Sequence, residues 1–163
     1  MDIKVTFEKV EVKILMVCLG NICRSPMAEG ILKSKIQKSG LNIFVDSAGT
    51  GAWHAGEHPD RRAIQTSKKF GVDISKLIAR KFSVQDFDDF DFIYVMDHSN
   101  LADVLSLART EKDTEKVKLL LDVDEPGSKR DVPDPWYGGE SGFIEVFKMM
   151  DKACEVLANS LVV

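Results

Sequence analysis

Cysteine is scarce in this chain, with residues only at positions 18, 23 and 154. An odd count excludes a fully paired disulfide framework and suits a reducing compartment, where a thiol can act as a reagent. Long apolar runs are missing too: none approaches the roughly 20 residues a membrane helix needs. The start, Met1-Asp2-Ile3-Lys4-Val5-Thr6-Phe7-Glu8, alternates polar and apolar residues and does not read as a signal peptide, so a cytoplasmic protein is expected. Positive charge is in deficit, 22 Lys and Arg against 26 Asp and Glu. The resulting net charge of −4 provides no global field to gather nucleic acid or an anionic membrane, so any anion site must be built locally. Histidine is rare as well. His54 and His58 have the i, i+4 spacing of helical zinc ligands, but Gly56 and Pro59 argue for a loop, and neither metal nor organic cofactor is expected.

What remains is one domain's worth of ordinary globular sequence, 163 residues of which 44% are hydrophobic. Residues 1–11 read as a tail or an added edge strand and residues 12–163 as the domain. Lys13 to Val17 is an apolar run that stops at Cys18-Leu19-Gly20-Asn21, a buried strand followed by a turn. Ser25-Pro26 predicts a hydroxyl cap and a proline at the first helical position, with Ala28, Ile31 and Leu32 continuing towards Gly40. Ile43 to Val45 is a second strand, and the glycine-rich Gly49 to Pro59 leads to a helix from about Asp60 to Phe70. Phe92 to Met96 is a third strand. Ser99 is placed to cap the next helix, and Val117 to Leu121 is a fourth strand. A long helix from about Ser141 carries Phe143, Val146, Phe147, Met150, Ala153, Cys154, Leu157 and Leu161 on one face. The acidic run Asp86 to Asp91 reads as a solvated turn. This alternation predicts an α/β fold, an open parallel sheet with helices on both faces, whose ligand lies beyond the carboxyl ends of the strands. Cys18 is at such an end.

The stretch Cys18-Leu19-Gly20-Asn21-Ile22-Cys23-Arg24-Ser25-Pro26 sets a cysteine and an arginine at the two ends of a loop between the first strand and the first helix. A loop of that length, with Gly20 free to take unusual dihedrals, can turn successive N–H groups inward as an anion nest, and the following helix adds its positive end. Leu19, Gly20, Asn21, Ile22 and Cys23 are thus candidates to cradle a phosphate. Arg24 offers a planar fork for two phosphate oxygens as phosphorus becomes trigonal-bipyramidal. A thiol at a helix N-terminus beside arginine is biased towards the nucleophilic thiolate, which makes Cys18 the candidate nucleophile. Ser25 is positioned to donate to that sulfur and Asn21 to brace the loop from within. The bland alternative is a buried small hydrophobe at a strand end, the common fate of a free cysteine.

With these residues the chain resembles the low-molecular-weight protein-tyrosine-phosphatase family, over about Lys13 to Leu161. The signature stretch Val17 to Pro26 carries the resemblance. Asp46-Ser47-Ala48-Gly49-Thr50, Met96-Asp97-His98-Ser99-Asn100 and Asp134-Pro135-Trp136-Tyr137 extend it in the family's order. The resemblance implies a four-stranded parallel sheet and a phosphotyrosine-containing protein or peptide as substrate, with inorganic phosphate as product. It also implies that Asp134 is the general acid and that Trp53 and Trp136 wall the entrance, with Tyr137 a further contributor. One departure is Lys76 ahead of Ala79-Arg80, where eukaryotic members often carry a histidine.

The chemistry agrees with these roles. Expelling a phenolic oxygen, whose ordinary pKa is about 10, is eased by a carboxylic acid that protonates it. Pro135 stiffens the Asp134 loop and neighbouring aromatics are expected to desolvate the carboxyl. Read alone, Asp-Pro is a turn, and Asp131 is a nearby competitor for the role. An aromatic slot favours phosphotyrosine, since phosphoserine is too short to reach Cys18. Ile22 points the same way, because the related bacterial protein-arginine phosphatases carry threonine at that loop position. Cys18 and Cys23, close in one loop, are candidates for a reversible disulfide. Cys154 and Asp97 read as structural. Three alternatives to a tyrosine phosphatase stay open: an arginine phosphatase, a thioredoxin-coupled arsenate reductase and a non-catalytic phosphotyrosine reader. The reductase reading is weakened by the lack of a cysteine between Cys23 and Cys154. A monomer is expected.

Overall fold

The computed structural model describes residues 11–161, so the N-terminal tail or edge strand lies, but for Glu11, outside the described residues. Four strands, β1 (Val12–Cys18), β2 (Ile43–Gly49), β3 (Phe92–Val95) and β4 (Val117–Leu119), form one parallel sheet in the order β2-β1-β3-β4. Helices α1 (Arg24–Ser39), α2 (Arg61–Lys69) and α6 (Glu140–Ser160) cover one face, and α3 (Gln85–Asp89), α4 (His98–Leu105) and α5 (Glu111–Glu115) lie between the strands of the other half. Because both faces are covered, β1 is a continuous apolar run. Ile14 and Met16 enter the core with α1 and α6, while Leu15 and Val17 enter a second core with Phe87, Phe90 and Val104. The chain leaves β1 for β2 on one side and returns to β3 on the other. This switch of direction opens a crevice beyond the end of β1, where Cys18 is the last strand residue.

The α/β architecture is the expected one, and the long helix α6 buries the predicted stripe from Phe143 to Leu157. Several local readings need correction. Helix α1 begins at Arg24, with Cys23 at the cap position and no side-chain cap. Ser25 therefore does not cap it, because its hydroxyl is drawn into the loop's interior. Pro26 still fits, since the N–H groups of the first turn have no helical acceptor. Helix α4 is capped by Asp97 instead of Ser99: Asp97 accepts from Asn100 N at 2.8 Å while Asn100 returns a contact to Asp97 N. The strand expected through Leu121 ends at Leu119, and Leu120–Asp122 forms a 3-10 turn. Nor is the Asp86–Asp91 run wholly solvated. Asp86 and Phe87 are buried on α3, where Asp86 pairs with Arg80 at 3.1 Å.

Candidate active site

The loop that follows β1 is shaped by what packs behind it. The end of β2 runs along it, with Thr50 N donating to Cys18 O at 2.9 Å and Gly51 N to Leu19 O at 2.8 Å. Gly49 is the point of closest approach: a Cβ there would lie 2.8 Å from Leu19 O and 3.0 Å from Asn21 N. Asn21 takes a left-handed conformation, φ 56°, which asparagine tolerates better than most residues.

The Asn21 amide is fully used. Its Nδ2 donates to Ser25 Oγ at 2.8 Å and to Ser47 Oγ at 3.0 Å, and its Oδ1 accepts from Arg80 N at 3.0 Å. Ser47 in turn donates to Glu29 Oε1 at 2.6 Å, and Glu29, buried on α1, pairs with Lys33 one turn on. Ser25 Oγ lies 3.0 Å from Cys18 Sγ. Its single hydrogen has two acceptors within reach, that sulfur and Ala48 O at 3.4 Å. Asn21 N donates to Cys18 Sγ at 3.3 Å.

Arg24 is almost wholly buried, 3% exposed, at the other end of the loop. Its Nη1 donates to Asp97 Oδ2 at 2.6 Å and to Val132 O at 3.0 Å. Burial opposes its charge, but Cys18 and the Asp97 carboxylate outweigh that and hold the guanidinium above its already high ordinary pKa. The Asp134 carboxylate is 3.9 Å from Arg24 Nη2, across the mouth of the site. Asp134 starts a single 3-10 turn, Pro135–Tyr137, and accepts from Trp136 N at 3.0 Å.

Cys18, Leu19, Gly20, Ile22, Cys23, Arg24, Trp53, Asp134, Trp136 and Tyr137 line one cavity of about 180 Å³. Every sequence-predicted site residue is there except Asn21 and Ser25, whose side chains lie behind the loop and act on it from within. The expected aromatic shielding is thinner than foreseen. Trp53 is 73% and Tyr137 94% exposed, and the Asp134 side chain is 41% exposed, so packing does not strip it of water. Asp131, the competitor, is not among the residues that line the cavity and binds His98. Burial, reinforced by the charge of Asp60, pushes the Cys23 thiol well above its ordinary value. Cys154, fully enclosed, is pushed up to about 12 by burial.

Two residues at the site escaped sequence reasoning. His54 lines the cavity over Gly20, its Nδ1 2.5 Å from Glu57 Oε2 and its ring 6.1 Å from Trp136. Its place beside Trp53 in the glycine-rich loop was the available signal. Arg62, from the first turn of α2, stacks on Trp136 at 5.2 Å and donates to its carbonyl at 3.0 Å. Nothing in the local sequence announces that contact. Among the described residues no cluster of three or more His, Cys, Asp or Glu is arranged to hold a metal, and no helix is long and apolar enough to cross a membrane.

A parallel α/β sheet that ends in a cysteine-headed anion loop, closed by a buried arginine, defines the class of cysteine-dependent phosphate-handling proteins. Comparison with known proteins narrows that class. Residues 13–162 match the family model described as low molecular weight phosphotyrosine protein phosphatase. The low molecular weight phosphotyrosine protein phosphatase of Schizosaccharomyces pombe is 44% identical over 135 residues, covering 81% of this chain and 85% of that protein. The crystal structure of YfkJ from Bacillus subtilis is 40% identical and superposes with a TM-score of 0.87, over 94% of this chain and 96% of that one. A structure titled DARP, drosophila arginine phosphatase, is 36% identical with a TM-score of 0.86, over 93% and 99% of the two chains. The chain belongs to the low molecular weight phosphotyrosine protein phosphatase family.

Proposed function

We propose that this protein hydrolyses phosphotyrosine in proteins or peptides through a phosphocysteine intermediate. The observation that carries the reading is the convergence of Cys18, Arg24 and Asp134 on one cavity, with Asp134 3.9 Å from the arginine that would hold the phosphate. Cys18 thiolate attacks phosphorus, the phosphorus–oxygen bond to the tyrosine breaks, and Asp134 gives its proton to the departing phenolic oxygen. Arg24 and the loop N–H groups hold the three other oxygens as charge develops on them. Asp134, now a carboxylate, then takes a proton from water as that water attacks phosphorus. Inorganic phosphate leaves and Cys18 returns as thiolate.

Trp53, Trp136 and Tyr137 are the faces against which the phenyl ring lies. Their openness suits a residue presented on a protein surface. The Drosophila structure titled an arginine phosphatase supports phosphoarginine as the second reading. Ile22, at the loop position where the bacterial arginine phosphatases carry threonine, favours tyrosine. Phosphate release from matched phosphotyrosine, phosphoserine and phosphoarginine peptides decides between them. Tyrosine-selective release that is lost in Cys18→Ser supports the proposal, and preference for phosphoarginine overturns its specificity. Phosphopeptide binding without release would identify a reader.

The finer attributes belong to the same proposal: one phosphatase domain over residues 12–163, cytoplasmic and monomeric, acting without metal, organic cofactor, membrane or nucleic acid. The odd count of three cysteines, which rules out a fully paired disulfide framework, supports a reducing compartment. Cys18 and Cys23 line the same cavity, which supports a reversible disulfide formed through a sulfenic acid at Cys18. Mass spectrometry after mild peroxide tests for the linked pair.

A further inference from the structure

The loop that carries Asp134 is anchored at both ends, and its upstream anchor has no part in the chemistry described above. Asp131 Oδ1 accepts from His98 N at 3.0 Å and meets His98 Nδ1 at 2.5 Å, joining residues 33 positions apart. The next residue, Val132, is fully buried, donates through its N to Met96 O at 2.7 Å and offers its carbonyl to Arg24 Nη1 at 3.0 Å. Asp97 binds Arg24 and its neighbour His98 binds Asp131, so the start of α4 holds the phosphate clamp with one residue and the acid loop with the next. At the downstream end Arg62 donates to Trp136 O at 3.0 Å.

Between these anchors runs Pro133-Asp134-Pro135. Each proline fixes its own φ, and a residue ahead of proline is confined to extended backbone; Asp134 has φ −76° and ψ 115°. A segment so stiff transmits the position of its first residues to the Asp134 carboxyl with little loss. The geometry points to Asp131 and His98 as positioning residues for the general acid: their pairing sets where Asp134 meets the leaving oxygen. This rests on the reading of Asp134 as that acid. As a stabilising contact the pair counts for little, since both side chains are about half exposed, 48% and 50%, and exposed ion pairs contribute little to folding. Its effect is on alignment, where small displacements cost rate.

The test is a leaving-group comparison. Phenyl phosphate, which expels a weakly acidic phenol, depends on the acid; p-nitrophenyl phosphate, which expels a far more acidic one, depends on it much less. Asp131→Ala and His98→Ala should lower kcat/KM for phenyl phosphate by roughly three- to tenfold, a fraction of the hundredfold or more a general acid supplies. They should leave kcat/KM for p-nitrophenyl phosphate and inhibition by inorganic phosphate close to wild type. Asp131→Asn, which keeps an oxygen acceptor for His98 N, should recover most of the loss. Equal losses on both substrates, weakened phosphate inhibition, or no loss on phenyl phosphate would overturn the inference. Asp134→Asn measured alongside separates the two readings. If it shows strong leaving-group dependence and Asp131→Ala shows none, only the positioning role falls; if it shows none either, the acid assignment falls and the positioning role with it.

Discussion

Asp97 holds Arg24 from behind, its Oδ2 2.6 Å from Nη1, while the same carboxylate caps α4 through Asn100 N at 2.8 Å. One side chain thus orients the fork that would bind phosphate and anchors the helix beside it. Asp97→Asn keeps the cap but leaves a buried guanidinium facing a neutral amide. It should lower stability by about 1–3 kcal/mol, the cost of unbalancing a buried charged hydrogen bond, and weaken phosphate inhibition. Thermal melts together with a phosphate inhibition constant check both effects.

Cys18→Ser should abolish turnover while leaving phosphate binding within a few-fold, because the loop donors and Arg24 are untouched. Isothermal titration with inorganic phosphate measures what remains. A variant that neither turns over nor binds would show that the substitution has disturbed the loop as a whole.

Glu29 gives a prediction with a definite sign. Burial raises its carboxyl above the ordinary value of 4.5, against the lowering pull of Lys33 and Ser47. The folded protein therefore holds this proton more tightly than the unfolded chain. The stability this contributes is fully present below the unfolded value and is lost as pH rises through the folded one. Glu29→Gln, which never ionises, should gain on the wild type in melting temperature as pH rises above the ordinary value of 4.5. Paired melts across that range check it, and a wild type that gains instead would contradict the sign.

Gly49→Ala should be costly although glycine and alanine differ by a single methyl group. The new Cβ would meet backbone atoms, Leu19 O at 2.8 Å and Asn21 N at 3.0 Å, which cannot rotate away. We expect a loss of about 1–3 kcal/mol from overpacking and a phosphate site widened enough to lower affinity. Melts and phosphate inhibition measure the two parts separately.

The parts of this molecule that were legible in the sequence are those built from neighbours. Asp134 entered only through the family resemblance, since Asp-Pro alone reads as a turn, whereas the strand, loop and helix around Cys18 and Arg24, the Ser25 cap apart, were legible because apolar period, turn residues and spacing are local signals. Asn21 was expected to brace the loop, but the partners that hold the site together were not legible. Asn21 meets Ser47, Arg80 and Ser25; Arg24 meets Asp97; Asp131 meets His98. Apart from Ser25, these partners lie 26 to 73 residues away. Hydrophobic period tells which face of an element is buried, but carries nothing about which polar groups meet there. The same blindness turned Asp86 into a surface residue and moved the cap of α4 from Asp97 to Ser99, since only the fold shows that Arg80 and Arg24 require those carboxylates.

The wiring of Asn21 also bears on transplantation. Its amide is joined to β2 through Ser47, to the 80–86 segment through Arg80 N and to α1 through Ser25. A peptide copied from residues 18–24 would carry the reacting thiol and the guanidinium yet none of the partners that set their angles. To move this site into another scaffold, an engineer would need to graft those three contacts of Asn21, and the Asp97 and Val132 contacts of Arg24, along with the loop.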